Sequence, residues 1–201
     1  MRWWNSVLRS KSEPAIHHVT APPTLETARC LMMLLQPEHA HLLLAYRQRN
    51  AAHLAPWEPN AQDGTPLDTC QRAAARSVQG YADGIAMQFI AIERQSLTMV
   101  AACNFTNIVR GPFQACHLGY SVDQDCQGQG LMREVLQAGM DYVFGTLGLH
   151  RIMANHMPSN VRSERLLRSL GFEREGYARA YLQIAGRWED MVLNALVNPR
   201  S

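Results

Sequence analysis

A chain of 201 residues, 47% hydrophobic, is long enough for one domain with a full core and short for two. A net charge of +2 and a pI of about 8.4 permit an acidic ligand but exclude a densely basic surface; Lys11 is the single lysine, and the remaining cations are arginines, as a GC-rich genome also produces. Five cysteines without C-x-x-C or a Cys/His zinc spacing read as buried, reduced thiols, so no metal is expected.

The first residues, Met1 to Ser10, lack an apolar h-region and a cleavage site, and no apolar run approaches the length of a membrane span. The expectation is a soluble, cytoplasmic protein. Residues 1–23 read as a loose leader ending in Ala21-Pro22-Pro23, and residues 24–201 as a single domain.

In chain order, residues 28–35 are a first strand candidate. Residues 37–49 read as a helix with Pro37 at its first position and Leu42, Leu43 and Tyr46 on one face. Pro56-Trp57-Glu58-Pro59 cannot continue a regular helix, and a polar loop to Asp68 precedes a helix over about 69–82. Strands follow over 86–93, 98–105 and 113–122, divided by turns at Arg94-Gln95-Ser96 and Arg110-Gly111-Pro112. Gly119 inside the third of these suggests a bulge, which can splay neighbouring strands. Residues 131–144 form an amphipathic helix, with Leu131, Met132, Val135, Leu136, Tyr142 and Val143 inward and Gly145 or Gly148 ending it. A short strand over 151–156, a helix capped by Asn160 and stopped by Gly171-Phe172, and a hairpin of strands 173–182 and 187–196 around Ala185-Gly186 complete the chain. The order is β-α-α-β-β-β-α-β-α-β-β.

The most informative stretch is Gln127-Gly128-Gln129-Gly130-Leu131-Met132, between a strand and a helix. A glycine-rich turn in that place directs backbone N–H groups at one spot, and the helix dipole adds partial positive charge. The stretch is neither Gly-x-Gly-x-x-Gly nor a P-loop, and alone it also fits an ordinary tight loop.

The element order with this Gln-x-x-Gly turn resembles the GNAT acetyltransferase superfamily. Pro56-Trp57-Glu58-Pro59, the run from Asn104 to Gly111, Leu118-Gly119-Tyr120-Ser121, His150-Arg151-Ile152-Met153-Ala154-Asn155 and the run from Leu170 to Tyr177 narrow the resemblance to the ribosomal-protein-alanine N-acetyltransferase branch, over residues 24–196. The resemblance implies an α/β fold with a twisted, mostly antiparallel mixed sheet flanked by helices. It also implies acetyl-CoA in a V between the fourth and fifth expected strands. The pyrophosphate would rest on N–H groups of Gln127, Gly128, Gln129, Gly130, Leu131 and Met132. The pantetheine arm would pair with Tyr120, Ser121 and Val122, and Asn160 and Ser163 would touch the arm or the thioester. Implied partners are a ribosomal protein N-terminus or the ribosome, with no membrane and no sequence-specific nucleic acid binding; monomer and homodimer both remain open.

Three positions depart from the broad superfamily. Met132 stands where a small residue is usual, so its side chain should point away from the cofactor. Leu167 stands where many relatives place a tyrosine that protonates the leaving thiolate, so that acid is either absent or replaced, with Ser163 and Tyr177 as the candidates. His117 stands where a glutamate base is frequent.

Acyl transfer to an amine needs the amine neutral. An α-amine, with a pKa of roughly 7.7–8.0, asks little of a base, whereas a lysine amine near 10.4 asks for over two units more. Weak base equipment therefore suits an N-terminal substrate. His117 titrates in a useful range, but it is equally a strand histidine bonded within the sheet. Glu58 could hold the ammonium beside Trp57 and Tyr177 in a peptide slot, or be a solvated carboxylate in a Pro-constrained loop. Two other functions fit the same fold. One is an acetyltransferase for a small amine (a polyamine, amino acid or aminoglycoside), for which the loop after Pro59 offers only Asp63 and Asp68. The other is a CoA-binding factor without catalysis.

Overall fold

The computed structural model describes residues 22–58 and 66–199. The expected leader up to residue 21, and the polar loop with Asp63, lie outside these residues. Among the described residues, eight strands form one mixed sheet in the order β1-β2-β3-β4-β5-β6-β8-β7. They are β1 Thr24–Glu26, β2 Cys30–Leu34, β3 Met87–Glu93, β4 Met99–Val109, β5 Ala115–Val122, β6 Arg151–His156, β7 Glu173–Ile184 and β8 Arg187–Val197. The helices are α1 Ala40–Arg49, α2 Ala51–Leu54, α3 Pro66–Ala82, α4 Leu131–Gly145 and α5 Val161–Ser169.

Alternation along the strands assigns each helix layer to a face. Phe89 and Ala91 of β3 join a core with Cys103, Phe105, Cys116, Val135, Leu136 and Leu167, under α4 and α5. Ile90 belongs to the second core, with Leu43, Tyr46, Cys70 and Ala74 from α1 and α3. Neighbouring side chains of a strand point to opposite faces, so the helices sandwich the sheet.

Every strand pair is antiparallel except β5 and β6. These two run parallel because α4 crosses over between them. Their pairing covers only Ala115↔Arg151, Cys116↔Ile152 and His117↔Met153. From Leu118 onward β5 has lost β6, while it stays bonded to β4 through Ala101↔Val122.

Several sequence expectations are corrected. Thr24–Glu26 is an additional edge strand; three residues carry too little pattern to be read from sequence. The expected fourth and fifth strands are therefore β5 and β6. The bulge expected at Gly119 is elsewhere: Gly119 pairs in register with Asn104, and the irregularity lies between Thr106 and Val109. There Asn107 adopts φ 50, the left-handed conformation that Asn tolerates better than most residues. The β7–β8 hairpin turns where expected, at Ala185 (φ 46) and Gly186 (φ 78), which matches the two-residue turn whose central residues both have positive φ. Strand β7 is longer than expected, reaching Ile184, and its register shifts twice.

Gly139 marks where α4 lies closest to the sheet. A Cβ there would stand 3.0 Å from Cys103 Sγ and 3.0 Å from Phe105 Cε2. Gly139→Leu is therefore expected to overpack this contact and cost about 1–3 kcal/mol. Urea unfolding checks this: the midpoint should fall with the slope unchanged.

Candidate functional site

The parting of β5 and β6 opens a cleft of about 820 Å³. Its floor is the free part of β5, with Tyr120, Ser121 and Val122 lining it. One wall is the loop from Cys126 to Gly130 and the start of α4. The opposite wall is α5 with Asn160 and Ser163, and the α2 end supplies His53, Leu54, Trp57 and Glu58. The backbone groups of β5 that β6 abandons need other partners, and an extended ligand with amide groups supplies them as a neighbouring strand would.

The loop is shaped by two left-handed glycines, Gly128 (φ 71) and Gly130 (φ 74). Gly130 is the N-cap of α4, and no side chain caps the helix. The N–H groups of its first turn are thus directed at the cleft without a side-chain acceptor, and they carry the positive end of the dipole. Gln127 N–H is drawn toward Gln124 O at 3.3 Å, so the cradle proper begins at Gly128. Arg133, Arg162 and Arg165 line the same cleft and add positive charge. This combination suits a ligand that carries phosphates. Met132 is buried in the core, as required if only its N–H serves the cradle. Arg29 braces the loop from outside, donating to Gln129 O at 3.0 Å and pairing with Glu134 at 2.7 Å.

At the far end of the cleft, Tyr120 Oη and Ser163 Oγ are 2.6 Å apart. Burial pushes the Tyr120 hydroxyl up to about 12, against the lowering effect of its bond to Ser163. The phenol therefore keeps its proton at neutral pH. Asn160 caps α5 as expected, its Oδ1 accepting from Ser163 N–H at 3.1 Å. Ser121 Oγ accepts from Tyr46 Oη at 2.9 Å. Leu167 is in the core, 1% exposed, and is not among the residues that line the cleft.

The other candidates separate. Glu58 lines the cleft beside Trp57. Its side chain is open on one flank, yet the protein around the carboxyl raises its pKa by desolvation, partly countered by the Arg47 charge. His117 is on β5 where β6 is still paired, outside the cleft lining. Its Nδ1 is buried without a hydrogen-bond partner among the described residues, and burial lowers its pKa. Tyr177 is also outside the lining; it donates to Asp190 Oδ2 at 2.5 Å on the hairpin. Gln129 is also outside the lining, its side chain donating to Asp125 O at 2.7 Å.

The sequence reading missed His53, Cys126, Arg162 and Arg165, all of which line the cleft. Arg162 and Arg165 are three apart on α5, a spacing that puts both on one helix face and was visible in the sequence. His53 had no such signal, because its role depends on how the α1–α2 corner is set against the loop.

Comparison with known proteins shows the family. Residues 29–173 match the family model of the acetyltransferase (GNAT) domain. The chain is 42% identical over 176 residues to the [ribosomal protein uS5]-alanine N-acetyltransferase of Escherichia coli, covering 87% of this chain and 91% of that one. It superposes with a TM-score of 0.82 on the ribosomal-protein-S5-alanine acetyltransferase of Vibrio fischeri, at 33% identity over 88% of this chain and 97% of the other. RimJ of Mycobacterium smegmatis, solved in complex with CoA-disulfide, has the same fold (TM-score 0.82, 24% identity, 89% of each chain). The chain belongs to the GNAT acetyltransferase family.

Proposed function

We propose that this enzyme transfers the acetyl group of acetyl-CoA to the N-terminal α-amine of a ribosomal protein, at an alanine, with uS5 as the substrate. The observation that carries the cofactor half is the union of an abandoned strand edge with an uncapped, glycine-shaped helix start in one cleft. The edge fits the two amides of a pantetheine arm, and the helix start fits its pyrophosphate. The family relatives named for uS5-alanine acetylation support the substrate half.

The amine nitrogen attacks the thioester carbonyl carbon, the C–S bond breaks, and the amine loses a proton while the CoA sulfur gains one. Ser163 Oγ, held by Tyr120 and facing the cleft, donates a hydrogen bond to the departing thiolate. Tyr120 supports it without ionising. Glu58 receives the ammonium at the mouth and takes its proton directly or through water. Its raised pKa brings it nearer to the amine it must relieve. His117, outside the lining, is left without a step.

A small polycationic amine is the weaker reading. Among the described lining residues Glu58 is the sole carboxylate, against Arg133, Arg162 and Arg165. Such a cleft repels several positive charges at once and accepts a single α-ammonium beside Glu58.

Three outcomes are expected. Gly130→Val forces a β-branched residue into φ 74, costs about 1–2 kcal/mol of backbone strain and displaces the cradle; calorimetry should show at least a tenfold loss of acetyl-CoA affinity. Ser163→Ala should lower kcat about a hundredfold with the KM for acetyl-CoA little changed. For Glu58, rising pH ionises the carboxyl and raises the rate. The acid side of the kcat/KM profile for an alanyl peptide should thus show two limbs, one from the amine at about 7.7–8.0 and a lower one from Glu58. Glu58→Gln should remove only the lower limb, and a profile unchanged in this variant contradicts its role.

A further inference from the structure

Helix α1 ends at Arg49 and α2 starts at Ala51, so Asn50 is the corner between them. Its side chain is fully buried and bonded at both ends. Nδ2 donates to Tyr46 O at 2.9 Å and to Asp123 Oδ2 at 3.0 Å, and Oδ1 accepts from Gln124 N–H at 2.8 Å. Asp123, 3% exposed, also accepts from Arg49 Nε at 2.7 Å and from Asp125 N–H at 3.1 Å. Burial pulls the Asp123 pKa upward, but the bonds from Asn50, Asp125 and Arg49 outweigh it and hold the carboxyl below its usual range.

One turn further along the corner, His53 Nε2 lies 2.7 Å from Gln127 Nε2. Arg162 Nη1 donates to Gln127 Oε1 at 2.5 Å, which orients the amide with its NH₂ toward the histidine. The corner is thus tied to the loop at 123 and 124 through Asn50 and at 127 through His53. Its other end carries the amine side of the cleft. Trp57 N–H donates to Leu54 O at 2.8 Å, and Glu58 O accepts from Ala185 N–H of the hairpin at 3.2 Å.

We infer that Asn50 and His53 are positioning residues that join the cofactor loop to the Trp57–Glu58 segment, so that a coenzyme seated on the loop orders the place where the amine arrives. This rests on the function proposed above. A ligand biases a distant segment only through contacts that distinguish its arrangements, and these two ties are such contacts. The coupling is reciprocal: an acceptor held at Trp57 and Glu58 tightens the coenzyme by the same factor. Neither side chain performs chemistry. Both act through the residues they hold.

Hydrogen exchange read by mass spectrometry tests this, with unacetylated coenzyme A as the probe so that no turnover occurs. In the wild type, saturating coenzyme A should slow exchange in residues 123–132 and in residues 51–58. In His53→Ala, a half-exposed position whose change spares the core, protection of 123–132 should persist. Protection of 51–58 should fall at least fivefold. His53→Gln, which keeps a hydrogen-bonding group there, should restore it. Asn50→Ala should show the same selective loss, with a lower melting temperature because Asp123 and Gln124 lose their partner. Equal protection of 51–58 in the wild type and in His53→Ala overturns the inference. So does protection confined to 123–132 in the wild type. Absence of protection at 123–132 in the wild type overturns the coenzyme site itself, and the coupling with it.

Discussion

Strands β5 and β6 hold each other for three residue pairs and then part, and the site exists because of that parting. A sheet that stayed zipped would satisfy its backbone internally and leave no slot. One that parted earlier would lose the junction between its two halves. The crossover through α4 makes the pair parallel and brings the N-terminus of α4 to the mouth of the gap. Strand edge and helix dipole therefore arrive together, as in other α/β sheets where ligands bind at the carboxyl ends of parallel strands. Gly128 and Gly130 let the chain turn sharply enough to connect them.

On the proposed function, the chemistry is divided along the cleft. The cradle end would bind by charge and direction, through main-chain N–H groups and arginines that need no titration. In the proposed mechanism the reacting end relies on few side chains: Ser163, hydrogen-bonded to Tyr120, on one side and Glu58 on the other. Such sparse equipment is adequate for an α-amine, a fraction of which is already neutral at pH 7. The polar ties at Asn50, Asp123 and Gln127 lie between the two ends. Asn50 and Asp123 are buried and Gln127 is half-buried, and each would leave a partner unsatisfied if the loop and the α1–α2 corner drifted apart.

Much of this was legible in the residues themselves. The glycine-rich turn between strand and helix, the Asn160 cap, the meander of β3 to β5 and the Ala185-Gly186 hairpin turn are local features, set by turn chemistry and periodicity. The motif runs from Pro56 to Tyr177 added what local physics could not, namely one mixed sheet that opens between the expected fourth and fifth strands. The parts that escaped are those that depend on how distant segments meet. Gly119 looks like a bulge in sequence but pairs regularly, while Asn107 carries the irregularity. His117 has the right chemistry for a base, yet its strand position keeps it outside the cleft lining. His53 offered no local signal; its partner Gln127 is 74 residues away in sequence.

The central claim is that the amine acetylated is the α-amine of a protein N-terminus. The most direct measurement is acetyl-CoA turnover, followed by thiol release, with two short basic peptides of one sequence. The first begins with a free alanine; the second has its α-amine blocked and an internal lysine free. Turnover of the first alone is the predicted result. Turnover of the lysine peptide, or of neither while acetyl-CoA still binds, contradicts the account.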